Sequence, residues 1–278
     1  MAKSGSLFVR HRRTMVRFGL IAVAVFGMSV SLQASGSLAL LCAEGATAGC
    51  AGAQALMQAT AAFTTVDVYD VTSGNPALAT ISGYNAILAW TDDSPADPAG
   101  LGNLLASYAS LGGKHLTVAT YAFSNPWAIT GAIMSGNYAA LTNLGVNGTT
   151  SGNLVATVPG DPIFTGITLS SVVYFENDNF AHPGLASGAT LLATDGAGVD
   201  MIARSASGVI DVNLVPGFYG TNNAAFYSLL ANTLTLGPTV TPGPAVTPIP
   251  ATWLLTLTGI VGLAMFQMRE RLAQLLRG

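Results

Sequence analysis

Residues Gly83–Ala122 read GYNAILAWTDDSPADPAGLGNLLASYASLGGKHLTVATYA. The stretch opens on an apolar run, Ala86–Trp90, and closes on a second, Leu116–Tyr121. Between them Ala99–Leu111 has helical apolar spacing, entered through Asp97-Pro98 and left through Gly112-Gly113. Runs without polar alternation are what strands show when helices cover both faces of a parallel sheet. A helix bracketed by two such strands is a right-handed βαβ crossover. The expected class is therefore α/β, a mainly parallel sheet flanked by helices.

Working outward, Ser37–Cys42 predicts a first strand, Ala53–Phe63 a helix, and the alternating Val66–Val71 a strand nearer an edge. Ala77–Ser82 is a short connector. Beyond Tyr121, Ser124–Thr150 is rich in Asn and Gly and reads as loop. Leu154–Val158 and Val172–Phe175 are short strand candidates. Leu191–Thr194 and Asp200–Ala203 flank the turn Asp195-Gly196-Ala197-Gly198. Val209–Val215 is the last strand and Asn222–Leu236 a closing helix. Residues 37–237 make one domain.

Charge divides the chain. Five of its ten Lys and Arg lie in the first 17 residues and three in the last ten, leaving Lys114 and Arg204 between. Twelve of the 13 acids lie in that middle, a balance of −10. Such a body repels a phosphate backbone, which excludes nucleic acid as a partner.

Residues 1–36 read as a secretory signal: a basic segment, the apolar run Phe18–Leu32, then Gln33-Ala34-Ser35-Gly36. An uncleaved anchor is the alternative. At the other end, residues 238–250 form a Pro/Thr linker, and Ala251–Met268 contains 18 residues without charge, the length of a transmembrane helix. A basic tail, 269–278, follows. Arginines outside both apolar runs place the termini in the cytoplasm and the acidic body beyond the membrane.

The order Pro248-Ile249-Pro250, apolar segment, Arg269-Glu270-Arg271 resembles the PEP-CTERM sorting signal. The resemblance implies export, anchoring facing the periplasm, an exosortase-like sorting enzyme as partner, and delivery to a surface associated with exopolysaccharide. A plain single-span anchor is the other reading. The element order of the body, with the phrases YNAILAW, LLASYASLGG, Asp161-Pro162-Ile163 and VIDVNLV, resembles the class I glutamine amidotransferase-like superfamily and its ThuA-type relatives. That implies a flavodoxin-like sheet whose nucleophilic Cys sits in a turn after a central strand, served by a later His and an acid.

Here that strand is followed by Ala122-Phe123-Ser124-Asn125-Pro126-Trp127, with no Cys, and the later position reads Asn213-Leu214-Val215-Pro216-Gly217, with no His. The amidotransferase triad is absent. Ser124 with His182 and Glu176 is the one serine arrangement to test; a loop serine and a surface His-Pro is the other reading of the same residues. Cys42 and Cys50, seven residues between them, suit a disulfide in an exported protein, or else Cys42 is a buried thiol. Asp92, Asp93, Asn125 and Trp127 fall where a ligand would lie, and carboxylates and amides beside aromatic rings are how proteins hold sugars. Calcium at Asp92-Asp93 or at Glu176–Asn179 is a further reading, without EF-hand spacing to support it. No phosphate loop or dinucleotide fingerprint is present, so no cofactor is expected. The sequence thus predicts an exported, non-catalytic envelope or matrix protein that binds glycan, with an extracellular hydrolase as the alternative.

Overall fold

The computed structural model describes residues 36–44, 47–135, 137–148, 153–172, 180–216 and 223–241. In chain order the elements are β1 Ser37–Ala43, α1 Thr47–Ala59, β2 Thr65–Asp70, α2 Leu78–Ile81, β3 Ala86–Thr91, α3 Pro98–Ala109 and β4 His115–Ala119. Then come five two-residue strands: β5 Leu141–Thr142, β6 Asn147–Gly148, β7 Val155–Ala156, β8 Phe180–Ala181 and β9 Gly184–Leu185. β10 Thr190–Thr194, β11 Asp200–Arg204, β12 Ile210–Val212 and α4 Ala224–Thr235 are the last elements among the described residues.

One eight-stranded sheet has the order β2-β1-β3-β4-β12-β11-β10-β7. The first five strands are mutually parallel, and the pairings β12–β11, β11–β10 and β10–β7 are antiparallel. The result is a mixed α/β sheet, mainly parallel and flanked by helices. Side chains alternate between its faces. Leu38, Leu40, Cys42, Leu88 and Trp90 pack with α1 and α4. Ala39, Leu41, Ile87 and Ala89 pack with α3 through Leu101, Leu105 and Tyr108. Both faces of β1 and β3 are covered, which is why their sequences lack alternation.

The βαβ unit forms as its punctuation predicts. The Asp97 carboxylate accepts from the Gly100 amide at 2.8 Å, and Pro98 opens α3. Gly112 and Gly113, at φ +70° and +63°, reverse the chain into β4. Other boundaries moved. α1 starts at Thr47, not Ala53: the small residues before Ala53 read as a turn but continue the helix. β12 is only three residues; the Asn213 amide still donates to the Met201 carbonyl of β11, while its side chain bonds across the sheet end. Val172 closes a 3₁₀ turn, Leu169–Ser171, and residues 173–175 lie outside the described residues. The two-residue pairs β5–β9 and β6–β8 fold the 124–190 segment back on itself.

Three polar anchors hold these parts. Asp211, buried in β12, accepts from the amides of Ala140 and Leu141 at 2.9 and 2.7 Å, pinning that insertion to the sheet. Burial pushes its carboxyl up to about 7 against the pull of those two amides. Arg204 meets the buried Asp161 at 2.7 Å. Lys114 donates to the carbonyls of Ser82 and Tyr84 at 3.0 and 2.8 Å. Cys42 and Cys50 form the expected disulfide, Cα atoms 6.2 Å apart, tying β1 to the first turn of α1.

No helix among the described residues is long and apolar enough to cross a membrane. The predicted span 251–268, the signal segment through residue 35, the sorting residues Pro248, Pro250, Arg269 and Arg271, and Glu176 all lie outside the described residues.

Candidate functional site

From β1 the chain crosses to β2 on one side of the sheet and from β2 to β3 on the other, so the order reverses between β1 and β3. In open α/β sheets the crevice beyond the carboxyl ends of such strands is where ligands bind. Here those ends carry acids. The amides of Asp92 and Asp93 both donate to the Ala43 carbonyl, at 2.7 and 2.9 Å, so the two aspartates directly adjoin the end of β1. Both are half-buried.

Glu44, the first residue after β1, is only 6% exposed. Its carboxyl lies against Gly49 in the first turn of α1, where an added Cβ would stand 1.7 Å from Oε1. Only glycine leaves that space. Burial first, then the charge of Asp92, raises the Glu44 carboxyl to about 7; the nearby Trp90 indole pulls the other way, and Asp93 adds to the rise. Asp92 is also raised, by burial and then by Asp93. Tyr227 of α4 stands close enough that burial and the Glu44 charge both raise its phenol, whose hydroxyl donates to the Pro216 carbonyl. The site can therefore hold protons near neutral pH and repels anions.

The ends of β4 and β12, where the resemblance read in the sequence would expect a nucleophile and its histidine, hold other groups. Thr120 and Asn213 are fully buried, and the Thr120 hydroxyl donates to the Asn213 side-chain carbonyl. Asn213 Nδ2 donates onward to the Ala181 carbonyl at 2.8 Å. Ser124 is fully buried too, its hydroxyl donating to Asn147 Oδ1 at 2.9 Å. His182 joins the neighbouring residue through its backbone, its amide donating to the Val146 carbonyl at 2.9 Å, while its ring lies against Gly148. Ser124 and His182 thus reach the same short strand, but the serine hydroxyl is bonded to an amide there.

Asn125 is exposed and accepts from Asn143 Nδ2 at 3.1 Å. Trp127 is half-buried, its ring 5.2 Å from that of Tyr121 and tilted 45°. The Tyr121 amide donates to the carbonyl of Thr91, the residue before Asp92. Asp92, Asp93 and the Tyr121–Trp127 pair therefore flank the same edge of the sheet. Among the described residues no three His, Cys, Asp or Glu side chains gather in a set that would hold a metal ion. A separate dent of about 120 Å³ between α1 and β2, lined by Cys50, Ala51, Gln54, Val68 and Asp70, is smaller than ordinary ligand pockets.

Sequence reasoning missed Glu44 and Asp211. The available signal was an acid set directly after, or inside, an apolar strand, where burial demands partners.

No protein-family model matches the chain, and no curated protein matches it in sequence. Among solved structures it is similar to the crystal structure of SMU.1228c, with 15% identity over 71% of this chain and 99% of that one, at a TM-score of 0.48.

Proposed function

We propose that this is an exported, surface-sorted protein whose globular body is a glutamine amidotransferase-like domain without its nucleophile, serving as a non-catalytic glycan-binding component of the envelope or extracellular matrix. The reading is carried by the Thr120–Asn213 hydrogen bond: two buried, mutually satisfied groups stand where a catalytic pair would need to reach substrate. Export is supported by the basic and apolar segments at both ends of the chain and by the Cys42–Cys50 disulfide, a bond that persists in oxidising compartments. The sorting signal at Pro248–Arg271 brings an exosortase-like enzyme and the membrane in as partners. Glycan binding at the carboxyl edge of the sheet is supported by Asp92 and Asp93 beside the Tyr121–Trp127 ring pair.

The alternative is a hydrolase acting on a sugar derivative through Ser124, His182 and Glu176. Its one support is that Ser124 and His182 both bond to the segment Val146–Asn147. Incubating full-length protein with polysaccharides separates the two. The proposal expects retention on polysaccharide with no released sugar. Released product that disappears in Ser124→Ala would establish the hydrolase.

A further inference from the structure

Tyr69 of the edge strand β2 and Tyr84, two residues ahead of β3, meet edge to face, their ring centroids 6.1 Å apart and their planes at 88°. Their hydroxyl oxygens are 2.9 Å apart, and the Tyr84 hydroxyl donates to the Asp67 carboxylate at 2.6 Å. A phenol has one proton to give, so with that of Tyr84 committed to Asp67 the Tyr69 hydroxyl donates to Tyr84. The chain of donors runs from Tyr69 through Tyr84 and ends on an exposed acid. Both rings are only half-buried. Behind them the Tyr84 backbone is clamped, its carbonyl accepting from Lys114 Nζ at 2.8 Å and from the Tyr108 hydroxyl at 3.0 Å.

This arrangement suits oxidation rather than ionisation. Burial, then the hydrogen bonds to Asp67 and Tyr69, raise the Tyr84 phenol above its ordinary value, so at neutral pH it is no nucleophile. Removal of an electron makes a phenol a strong acid, and a carboxylate already bonded to its proton takes that proton in the same event. Tyr108 and Tyr227 have no such acceptor: their hydroxyls donate to the carbonyls of Tyr84 and Pro216, and both rings are buried.

We propose that Tyr69 and Tyr84 are a modification site at which a one-electron oxidant, such as a ferryl haem, joins the two rings as dityrosine. The oxidant takes one electron from Tyr84, whose hydroxyl proton passes to Asp67 and on to water. A second electron leaves Tyr69 with its hydroxyl proton. The two radicals form one carbon–carbon bond between ring positions ortho to oxygen, and the hydrogen on each of those carbons shifts to its oxygen to restore the phenols. Two electrons and two protons leave in all. The bond would fasten the edge strand β2 to the entry of β3 across the intervening β1.

The test is photo-oxidation of full-length protein by a ruthenium tris-bipyridyl complex with persulfate, which takes the two electrons and becomes two sulfates. Dityrosine fluorescence and peptide mapping by mass spectrometry follow the product. At low conversion the dominant product should be a monomer lighter by two hydrogen atoms, with its link between the Tyr69 and Tyr84 peptides. Asp67→Asn, which keeps an acceptor but not a base, should slow that link roughly tenfold with circular dichroism and the oxidation of the other tyrosines unchanged. In urea the selectivity for this pair should vanish. Dityrosine joining two copies of the chain, or other tyrosines reacting first, would overturn the proposal. So would an Asp67→Asn protein that couples at the wild-type rate, or selectivity that survives in urea, since the fold would then not be what sets the pair.

Discussion

Replacing Asp211 with Asn should change how stability depends on pH more than any other single substitution here. Asp211 is buried in β12, and its Oδ2 takes the amides of Ala140 and Leu141. Its carboxyl sits at about 7 in the folded protein against 3.8 ordinarily. The folded state therefore holds this proton more tightly than the unfolded chain. The resulting stabilisation is complete below about pH 4 and is lost as pH rises through about 7. The difference between 3.8 and about 7 corresponds to roughly 4 kcal/mol between those limits, an upper bound for one group. Asn cannot ionise, yet it offers a carbonyl oxygen to the same two amides. Urea unfolding followed by tryptophan fluorescence at pH 4, 5, 6, 7 and 8 measures the difference. Wild-type protein should gain on Asp211→Asn toward pH 4 and lose to it toward pH 8, the gap changing by up to ~4 kcal/mol. Parallel profiles would refute the reasoning, because they would mean that Asp211 ionises at the same pH folded and unfolded.

Glu44→Gln should flatten the pH profile in the same direction between about 4.5 and 7, again by removing an acid whose folded value is raised. Reducing the Cys42–Cys50 bond, or replacing both cysteines with Ser, should lower unfolding free energy by about 2.5 kcal/mol, the chain-entropy value for so short a loop. Gly49→Ala should push the Glu44 carboxyl aside, and it should be more favourable on a Glu44→Ala background, where that carboxyl is gone; equal effects in that cycle would deny the contact. Arg204→Met leaves the buried Asp161 without its cation and should cost about 3 kcal/mol, whereas Arg204→Met with Asp161→Asn should recover part of it.

The parallel half of the sheet was legible because burial on both faces writes itself as apolar runs: SLALLC, AILAW and LTVATY each became a strand. Helix α3 was legible from its Asp97-Pro98 entry and its paired glycines. Two-residue strands such as Asn147–Gly148 carry no periodicity, and their pairing with Phe180–Ala181 is a long-range event. The same holds for the site. Asp92 and Asp93 were placed just after a strand because a strand end is a local signal, and both follow β3 beside the end of β1. Glu44 and Asp211 were not found, since what makes them unusual is contact with Asp92, Trp90, Ala140 and Leu141, distant in sequence. Ser124 was found, but its burial and its bond to Asn147 were beyond local reading.

Lys114 and Arg204 have one consequence outside the fold. Proteases of trypsin specificity cut after basic residues, and from Phe18 to Met268 the chain offers them only these two. Both side chains are already held, one by the Ser82 and Tyr84 carbonyls and the other by Asp161. A protease of that class would thus find between Phe18 and Met268 only two side chains to bind, each of which must first give up its bonds within the fold.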